Sequence, residues 1–169
     1  MKVSRAWAMP NKHTFDIKPI AELIEHWRPG GGAVSVDPFA NKNRIANICN
    51  DIDPQHDCEH QMDALDFLKT LRTDSTDFLL FDPPYSPRQV SECYKALGRT
   101  VNMQTTQSSF WGNLKKEISR VVVPHGKVIS FGWNSGGIGK SNGFQIEEVL
   151  LVAHGGWHND TIVTVETRM

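Results

Sequence analysis

The sequence is poor in the features that define several common protein classes. Its three cysteines, Cys49, Cys58 and Cys93, contain no Cys-x-x-Cys pair, which argues against a disulfide framework or a structural zinc site. No stretch approaches the roughly 18 apolar residues of a membrane-spanning helix, and the N-terminus lacks a long apolar core. The net charge of −1 provides no overall attraction for nucleic acid. We therefore expect a protein of a reducing, cytoplasmic compartment with no membrane partner.

What the sequence does contain is ordinary for a globular protein. Of its 169 residues, 39% are hydrophobic and 22% are charged. A chain of this length suits one domain that buries about two-thirds of its unfolded surface. Because no repeat, linker or charge run divides the chain, we predict a single domain over residues 1–169. Residues 1–16 are polar and are predicted to form an irregular N-terminal arm.

Apolar patterns predict alternating helices and strands along the rest of the chain. Ile20, Leu23, Ile24 and Trp27 have the spacing of a helix over residues 17–27. Other helices are predicted after Asp63, over 87–97 and over 109–122, and strands over 33–36, 45–49, 78–81, 126–131, 146–153 and 161–167.

This order of elements predicts an α/β fold with a mostly parallel sheet and a C-terminal antiparallel hairpin. The glycines at 30–32 precede a strand, whereas phosphate-binding glycines usually follow one, so we interpret them as a plain loop. The glycine-rich residues 132–143 are predicted to form a mobile loop.

The most distinctive stretch is Asp82-Pro83-Pro84-Tyr85, which directly follows an apolar run of strand type. Neither a strand nor a helix continues through two prolines, because each fixes φ and lacks an N–H. Asp82 and Tyr85 are therefore predicted on a stiff loop at the carboxyl end of a strand, the edge at which open α/β sheets bind ligands. A surface turn can have the same four residues.

Acidic residues fall at or just past four predicted strand ends, namely Asp37, Asp51 or Asp53, Asp63 and Asp82. In a parallel sheet these ends share one edge, where carboxylates can accept ribose hydroxyls, bind magnesium or transfer protons. Magnesium is less favoured, because carboxylates spread over four strands do not converge on one ion. Helix capping is the alternative explanation, above all for Asp63 and Asp66.

From about residue 16 onward the chain resembles the amino-group DNA methyltransferases that use S-adenosylmethionine, especially small phage-type adenine N6-methyltransferases. Residues 82–85 match the catalytic Asp-Pro-Pro-Tyr of that family, and Lys18-Pro19 is similar to its Lys-Pro helix beside the methionine end of the cofactor. Residues 37–40 resemble the Asp-Pro-Phe cofactor loop, and residues 51–54 resemble the segment that places an acid on the ribose. The resemblance implies cofactor contacts by Lys18, Pro19, Asp37, Pro38, Phe39, Ala40, Asp51, Ile52, Asp63 and Ala64.

The cofactor loop departs from the family pattern. The family usually has Gly-x-Gly after Asp-Pro-Phe, which lets the backbone approach the ligand, whereas this chain continues with Ala40-Asn41-Lys42-Asn43-Arg44. We therefore expect a reshaped site. The departure also supports a rival hypothesis, a methyltransferase-like binding protein that has lost turnover.

The resemblance implies a Rossmann-like methyltransferase fold and methylation of the N6 amine of adenine in DNA, with S-adenosylhomocysteine as product and no metal. Asp82 and the carbonyl of Pro83 would accept hydrogen bonds from the amine, Pro84 would stiffen the loop, and Tyr85 would stack on a base flipped out of the duplex. Cytosine N4 and RNA adenine methylation use the same amine chemistry and remain alternatives.

The residues that contact the target are less specific in the sequence. Arg88 and Lys140 are candidate phosphate contacts, although basic residues commonly just face solvent, and Trp133 and Asn134 are candidates for the base pocket or for packing. No role is predicted for His56. Because no separate recognition domain is predicted, a homodimer or a separate subunit would assist target choice, in a bacterial host cytoplasm if the protein is phage-encoded.

Overall fold

The computed structural model describes residues 1–98 and 108–169. Their strands are β1 Lys2–Trp7, β2 Ser35–Asp37, β3 Ile48–Cys49, β4 Thr76–Phe81, β5 Val122–Gly132, β6 Phe144–Ala153 and β7 Thr161–Arg168. Their helices are α1 Lys18–Trp27, α2 Ala64–Thr70, α3 Pro87–Ala96 and α4 Ser108–Val121, with short 3-10 turns at Thr14–Asp16 and Lys140–Asn142. None of these helices has both the length and the apolar character to cross a membrane.

The strands form one sheet in the order β1-β6-β7-β5-β4-β2-β3. Strand β7 is antiparallel to both of its neighbours, β5 and β6, whereas the other paired strands are parallel. The predicted architecture, a mostly parallel α/β sheet with an antiparallel C-terminal hairpin, is confirmed.

The strand order creates a crevice at one point of the sheet. From β2 the chain moves outward to β3 and then returns to β4 on the other side of β2. At such a reversal the connecting segments diverge to opposite faces, which opens a crevice at the carboxyl ends of β2 and β4. Asp37 ends β2 and Asp82 follows β4, so the topology places both carboxylates at this reversal.

The hydrophobic core lies on both faces of the sheet, and β4 shows why. Side chains alternate along a strand, so Phe78 and Leu80 pack toward α1, while Leu79 and Phe81 pack toward α2 and α4. A strand buried on both faces reads as a continuous apolar run. Helix α1 uses its predicted stripe, since Ile20, Leu23 and Ile24 are all buried against the sheet.

The prediction of an irregular arm over residues 1–16 is wrong for residues 2–7. Lys2–Trp7 is a strand that pairs in parallel with β6, from Lys2 opposite Glu148 to Trp7 opposite Ala153. The ammonium of Lys2 also lies 2.7 Å from the buried carboxylate of Glu148. This edge strand mixes polar and apolar side chains, most of them exposed. It is stabilised by backbone bonds to a distant strand, and no local pattern reveals it.

Two further strands begin more than two residues away from their predicted start. The strand predicted over 45–49 is only Ile48–Cys49. Strand β5 begins at Val122 rather than at 126, because a bulge, with His125 at φ 66°, lies between the pairs Thr76–Val122 and Phe78–Lys127. A bulge interrupts the alternation of side chains, so the first part of this strand has no strand pattern.

Candidate functional site

A cleft of about 560 Å³ opens at the carboxyl ends of β2, β3 and β4. This size suits a small-molecule ligand. All four residues of the segment 82–85, called here the Asp-Pro-Pro-Tyr loop, line the cleft. Six of the residues predicted to bind the cofactor line it as well, namely Pro38, Phe39, Asp51, Ile52, Asp63 and Ala64.

The other four predicted cofactor residues do not line the cleft. Lys18 is exposed and lies 3.9 Å from Glu22 one helical turn away, with Pro19 beside it at the start of α1. Ala40 and Asp37 are buried behind the cleft wall. The preceding residues 11–14 line the cleft instead. A cofactor role for Lys18, Pro19, Asp37 and Ala40 stays a prediction.

Asp51 has the geometry of a diol acceptor. Its Oδ2 accepts the N–H of Asn41 at 2.8 Å, and its Oδ1 accepts the N–H of Asp53 at 2.9 Å. Since an ionised carboxylate has about four acceptor positions, two remain for hydroxyl groups of a ligand in the cleft. The two backbone bonds also orient the carboxylate before any ligand arrives.

The glycine-free loop after Phe39 has no bulky residue in a strained backbone conformation. Asn41 has a φ of 49°, in the left-handed region where asparagine is the best-tolerated residue after glycine. The guanidinium of Arg44 binds the carbonyl oxygens of Asn41, at 3.0 Å, and of Asp57, at 2.5 Å. The loop therefore reaches Asp51 by a route that does not require Gly-x-Gly.

Asp63 both caps a helix and faces the cleft. Its Oδ1 accepts the N–H of Leu65 at 2.9 Å, which confirms capping of α2, and its Oδ2 accepts the hydroxyl of Tyr94 from α3. Asp66 is not a cap, because it lies inside the first turn of α2, 3.6 Å from Lys69.

The Asp-Pro-Pro-Tyr loop is held by several hydrogen bonds. The hydroxyl of Tyr85 donates to Oδ1 of Asp82 at 2.5 Å, and the Thr14 side chain hydrogen-bonds to both residues. Burial raises the pKa of Asp82, although the bonds from Tyr85 and Thr14 oppose the shift. Burial also raises the pKa of Tyr85, as does the neighbouring Asp82 charge. The loop therefore presents a half-buried carboxylate with a greater proton affinity than an ordinary aspartate.

A second, smaller cleft of about 70 Å³ lies next to the Tyr85 ring. Its wall includes the predicted substrate residues Trp133 and Asn134, and the rings of Tyr85 and Trp133 meet edge to face with centroids 5.7 Å apart. Pro83 and Tyr85 line both clefts, so the loop separates them. The other two predicted substrate residues are not in either cleft wall: Arg88 is exposed and bound to Glu92 at 2.7 Å, and Lys140 is in a 3-10 turn.

Several cleft residues were missed by the sequence patterns. Thr14 was placed in the supposed irregular arm, and His56, predicted to have no role, lies in the wall with Nε2 4.0 Å from Asp53. Trp111 and Lys115 line the second cleft from α4. For Thr14, its position shortly before the Lys-Pro segment could have indicated a place near the site. The other residues reach the site through tertiary packing, which the sequence does not show.

Asp37 is a strongly perturbed carboxyl group at this sheet edge. Only 1% of the residue is exposed, its Oδ1 accepts the N–H of Phe39 at 3.0 Å, and its Oδ2 has no hydrogen-bond partner. Burial, together with the nearby charges of Asp82 and Asp51, raises the pKa of Asp37 to about 8, although the Phe39 bond and Arg44 oppose the shift. Asp37 is therefore mostly protonated at neutral pH.

The Asp37 proton makes stability depend on pH. Between pH 3.8 and about 8 the folded protein holds a proton that the unfolded chain has released, so the free energy of unfolding should fall as pH rises. The expected slope from this group is at most about 1.4 kcal/mol per pH unit, the value for one full proton. Urea unfolding at a series of pH values measures the free energy of unfolding of the wild type and of Asp37→Asn, whose side chain cannot ionise. The difference between the two slopes against pH is the contribution of Asp37. Equal slopes in the two proteins would contradict the prediction.

Among residues 1–98 and 108–169, no group of three or more His, Cys, Asp or Glu side chains is placed to hold a metal ion. The carboxylates of the cleft instead bind backbone N–H groups and tyrosine hydroxyls.

Comparison with known proteins identifies the fold. No family model matches the chain, and no curated protein matches it in sequence. In structure it is similar to TrmN from Thermus thermophilus, with a TM-score of 0.61 and 15% identity over 90% of this chain and 49% of that one, so it spans about half of TrmN. It is also similar to 1,6-didemethyltoxoflavin-N1-methyltransferase from Burkholderia thailandensis, solved with S-adenosylhomocysteine, with a TM-score of 0.56 and 12% identity over 88% and 76% of the two chains. The chain therefore has the Rossmann-like fold of S-adenosylmethionine-dependent methyltransferases.

Proposed function

We propose that the protein transfers a methyl group from S-adenosylmethionine to the N6 amine of adenine in DNA. The observation that carries this proposal is the position of the Asp-Pro-Pro-Tyr loop between two clefts. In a methyl transfer the amine nitrogen, the methyl carbon and the sulfur lie in line, so the donor site and the acceptor site must adjoin each other. Asp82 lies on this loop, with the larger cleft suited to the donor and the aromatic cleft suited to the base.

The larger cleft fits the chemistry of S-adenosylmethionine. Asp51 has free acceptor positions for the ribose hydroxyls. Asp63 lines the same cleft, and its carboxylate would accept a hydrogen bond from the adenine amine of the cofactor through a remaining lone pair. Phe39 and Ile52 provide apolar walls for the adenine ring. When bound, the cofactor supplies a methyl group activated by a positively charged sulfur.

The protein's part of the reaction is to prepare a weak nucleophile. The lone pair of an exocyclic amine is delocalised into the base, and hydrogen bonds from its N–H groups to Asp82 and to the Pro83 carbonyl localise it on nitrogen. Positioning and electrostatic stabilisation of this kind lower barriers by several kcal/mol. The raised pKa of Asp82 suits it to take the proton that the methylated amine releases. The rings of Tyr85 and Trp133 would hold the flipped base by stacking, a contribution of roughly 1–3 kcal/mol per base.

The rival hypothesis of an inactive binding protein depended on the absence of glycine from the cofactor loop. The left-handed conformation of Asn41 and its bond to Asp51 weaken that support, since the loop reaches the cleft without glycine. Assistance in target choice by a second copy or a separate recognition subunit stays a prediction.

Incubation with labelled S-adenosylmethionine and either DNA or RNA, followed by digestion to nucleosides, tests the proposal. We expect labelled N6-methyladenine from DNA. Label in N4-methylcytosine or only in RNA would replace the proposed substrate with one of the two alternatives. If the protein binds S-adenosylhomocysteine and transfers no methyl group to either nucleic acid, the binding-protein hypothesis is favoured instead.

Cofactor affinity should depend on the Asp51 carboxylate. Asp51→Asn removes one acceptor oxygen and the charge, and we expect S-adenosylhomocysteine to bind about 10-fold or more weakly, because hydrogen bonds to a charged group contribute about 1.5–3 kcal/mol. Isothermal titration calorimetry measures the change. Asp57→Asn, at an exposed side chain of the same loop, is the matched control and should bind as the wild type does. If the two variants bound S-adenosylhomocysteine with equal affinity, the Asp51 carboxylate would not be part of the cofactor site.

A further inference from the structure

The peptide group between Pro84 and Tyr85 is held at both of its ends. The indole N–H of Trp111 donates to the carbonyl oxygen of Pro84 at 3.1 Å. The N–H of Tyr85, on the other side of the same peptide plane, donates to Oε1 of Gln89 at 2.6 Å. Because a peptide group is planar, two bonds at its opposite ends determine its orientation.

The orientation of this peptide depends on the main rotational freedom left in the loop. The pyrrolidine rings restrict φ at Pro83 and Pro84, so the loop can still turn about their ψ angles. Rotation about ψ of Pro84 would swing the Pro84 carbonyl and the Tyr85 N–H together, and the Tyr85 ring would move with them. The bonds from Trp111 and Gln89 oppose that rotation.

The two supporting side chains come from different parts of the fold. Gln89 is in the first turn of α3, where its own N–H bonds to the capping hydroxyl of Ser86 at 3.3 Å. Trp111 is on α4, whose Leu114 and Ile118 are fully buried against the sheet. The carbonyl of Pro84 is therefore tied to the hydrophobic core rather than to another loop.

We propose that Trp111 is a positioning residue, which acts with Gln89 to hold the Pro84–Tyr85 peptide so that the Tyr85 ring lies where it can stack on the target base. This inference rests on the proposed function. The indole ring also lines the second cleft beside Tyr85, so removal of the whole side chain would change both packing and positioning. Trp111→Phe removes the N–H donor and retains an aromatic ring.

The test compares kcat and KM for methyl transfer by the wild type and Trp111→Phe. We expect kcat to fall about 3- to 10-fold, the effect of losing one hydrogen bond, with KM for S-adenosylmethionine unchanged. Trp157→Phe makes the same chemical change at a fully exposed residue far along the chain and should leave both constants unchanged. A purely structural role would lower the unfolding midpoint and the active fraction without a selective change in kcat of the folded enzyme.

Two variants of Gln89 test the other end of the peptide. Gln89→Leu removes the acceptor and should lower kcat to a similar extent, whereas Gln89→Glu keeps an acceptor oxygen and should recover most of the activity. These variants carry the test if Trp111→Phe does not fold. Hydrogen exchange of the Tyr85 amide, measured by NMR, should be slow in the wild type and faster in Gln89→Leu.

The outcomes separate this inference from the proposed function. A wild type that transfers methyl groups, with Trp111→Phe and Gln89→Leu equally active, overturns the positioning role alone. A wild type with no transfer to DNA or RNA overturns the proposed function and this inference together. A kcat close to that of the wild type in Gln89→Glu, together with a lowered kcat in Gln89→Leu, supports the positioning role directly.

Discussion

Asp82→Asn is expected to lower kcat for methyl transfer by about 1,000-fold. The substituted amide keeps an oxygen that can accept the Tyr85 hydroxyl, as Oδ1 of Asp82 does at 2.5 Å. Its NH₂ group, however, donates hydrogen bonds where the target amine also donates, and it cannot take a proton. Steady-state kinetics with labelled S-adenosylmethionine measure the loss, and titration with S-adenosylhomocysteine should show cofactor affinity close to that of the wild type.

Asp66→Asn is the matched control for this prediction, because the side chain of Asp66 is 69% exposed and pairs only with Lys69 across one turn. It should retain full activity. Methyl transfer that survived both Asp82→Asn and Asp82→Ala would exclude the carboxylate from the reaction and would contradict the proposed mechanism.

Glu166→Ala is expected to lower the free energy of unfolding by roughly 3 kcal/mol. Glu166 lies on β7 with no exposed surface, and its two oxygens accept the N–H groups of Ile138 at 2.6 Å and Gly139 at 2.9 Å. Its truncation leaves buried N–H groups without an acceptor, which is costly because neither protein nor solvent replaces the lost bonds. Denaturant unfolding followed by circular dichroism measures the change.

Two variants sharpen the Glu166 experiment. Glu166→Gln keeps one acceptor oxygen and should be destabilised less than Glu166→Ala, and Glu25→Ala, at an exposed position of α1, should be nearly neutral. The loop that Glu166 holds also carries Trp133 and Asn134, so we expect Glu166→Ala to weaken methyl transfer as well. A loss of stability below about 1 kcal/mol in Glu166→Ala would show that the two N–H groups find other partners.

The glycine-rich loop illustrates how tertiary structure determines a local conformation. The sequence predicts a loop over residues 132–143, and nothing in it indicates a carboxylate at its centre. Gly137, at φ 48°, leaves room beside the Glu166 carboxylate that a Cβ atom would fill. Because the partner comes from a strand 27 and 28 residues away in sequence, only the folded chain brings the two together.

Features with local causes could be predicted from the amino-acid sequence. Phe78 to Phe81 form a strand buried on both faces, and the prolines at 83 and 84 end it, so Asp82 had to lie at a sheet edge. The apolar stripe of α1 and the C-terminal hairpin were predictable for the same reason, since burial sets the period of apolar residues within each element.

The groups that support the Asp-Pro-Pro-Tyr loop could not be predicted before the fold was known. Thr14 reaches Asp82 from a segment that appeared irregular, and Trp111 reaches Pro84 across 27 residues of sequence. Strand β1 likewise depends on backbone bonds to β6, more than 140 residues away. Hydrogen bonds and ion pairs between distant segments have no sequence period, because their geometry exists only after the sheet has formed.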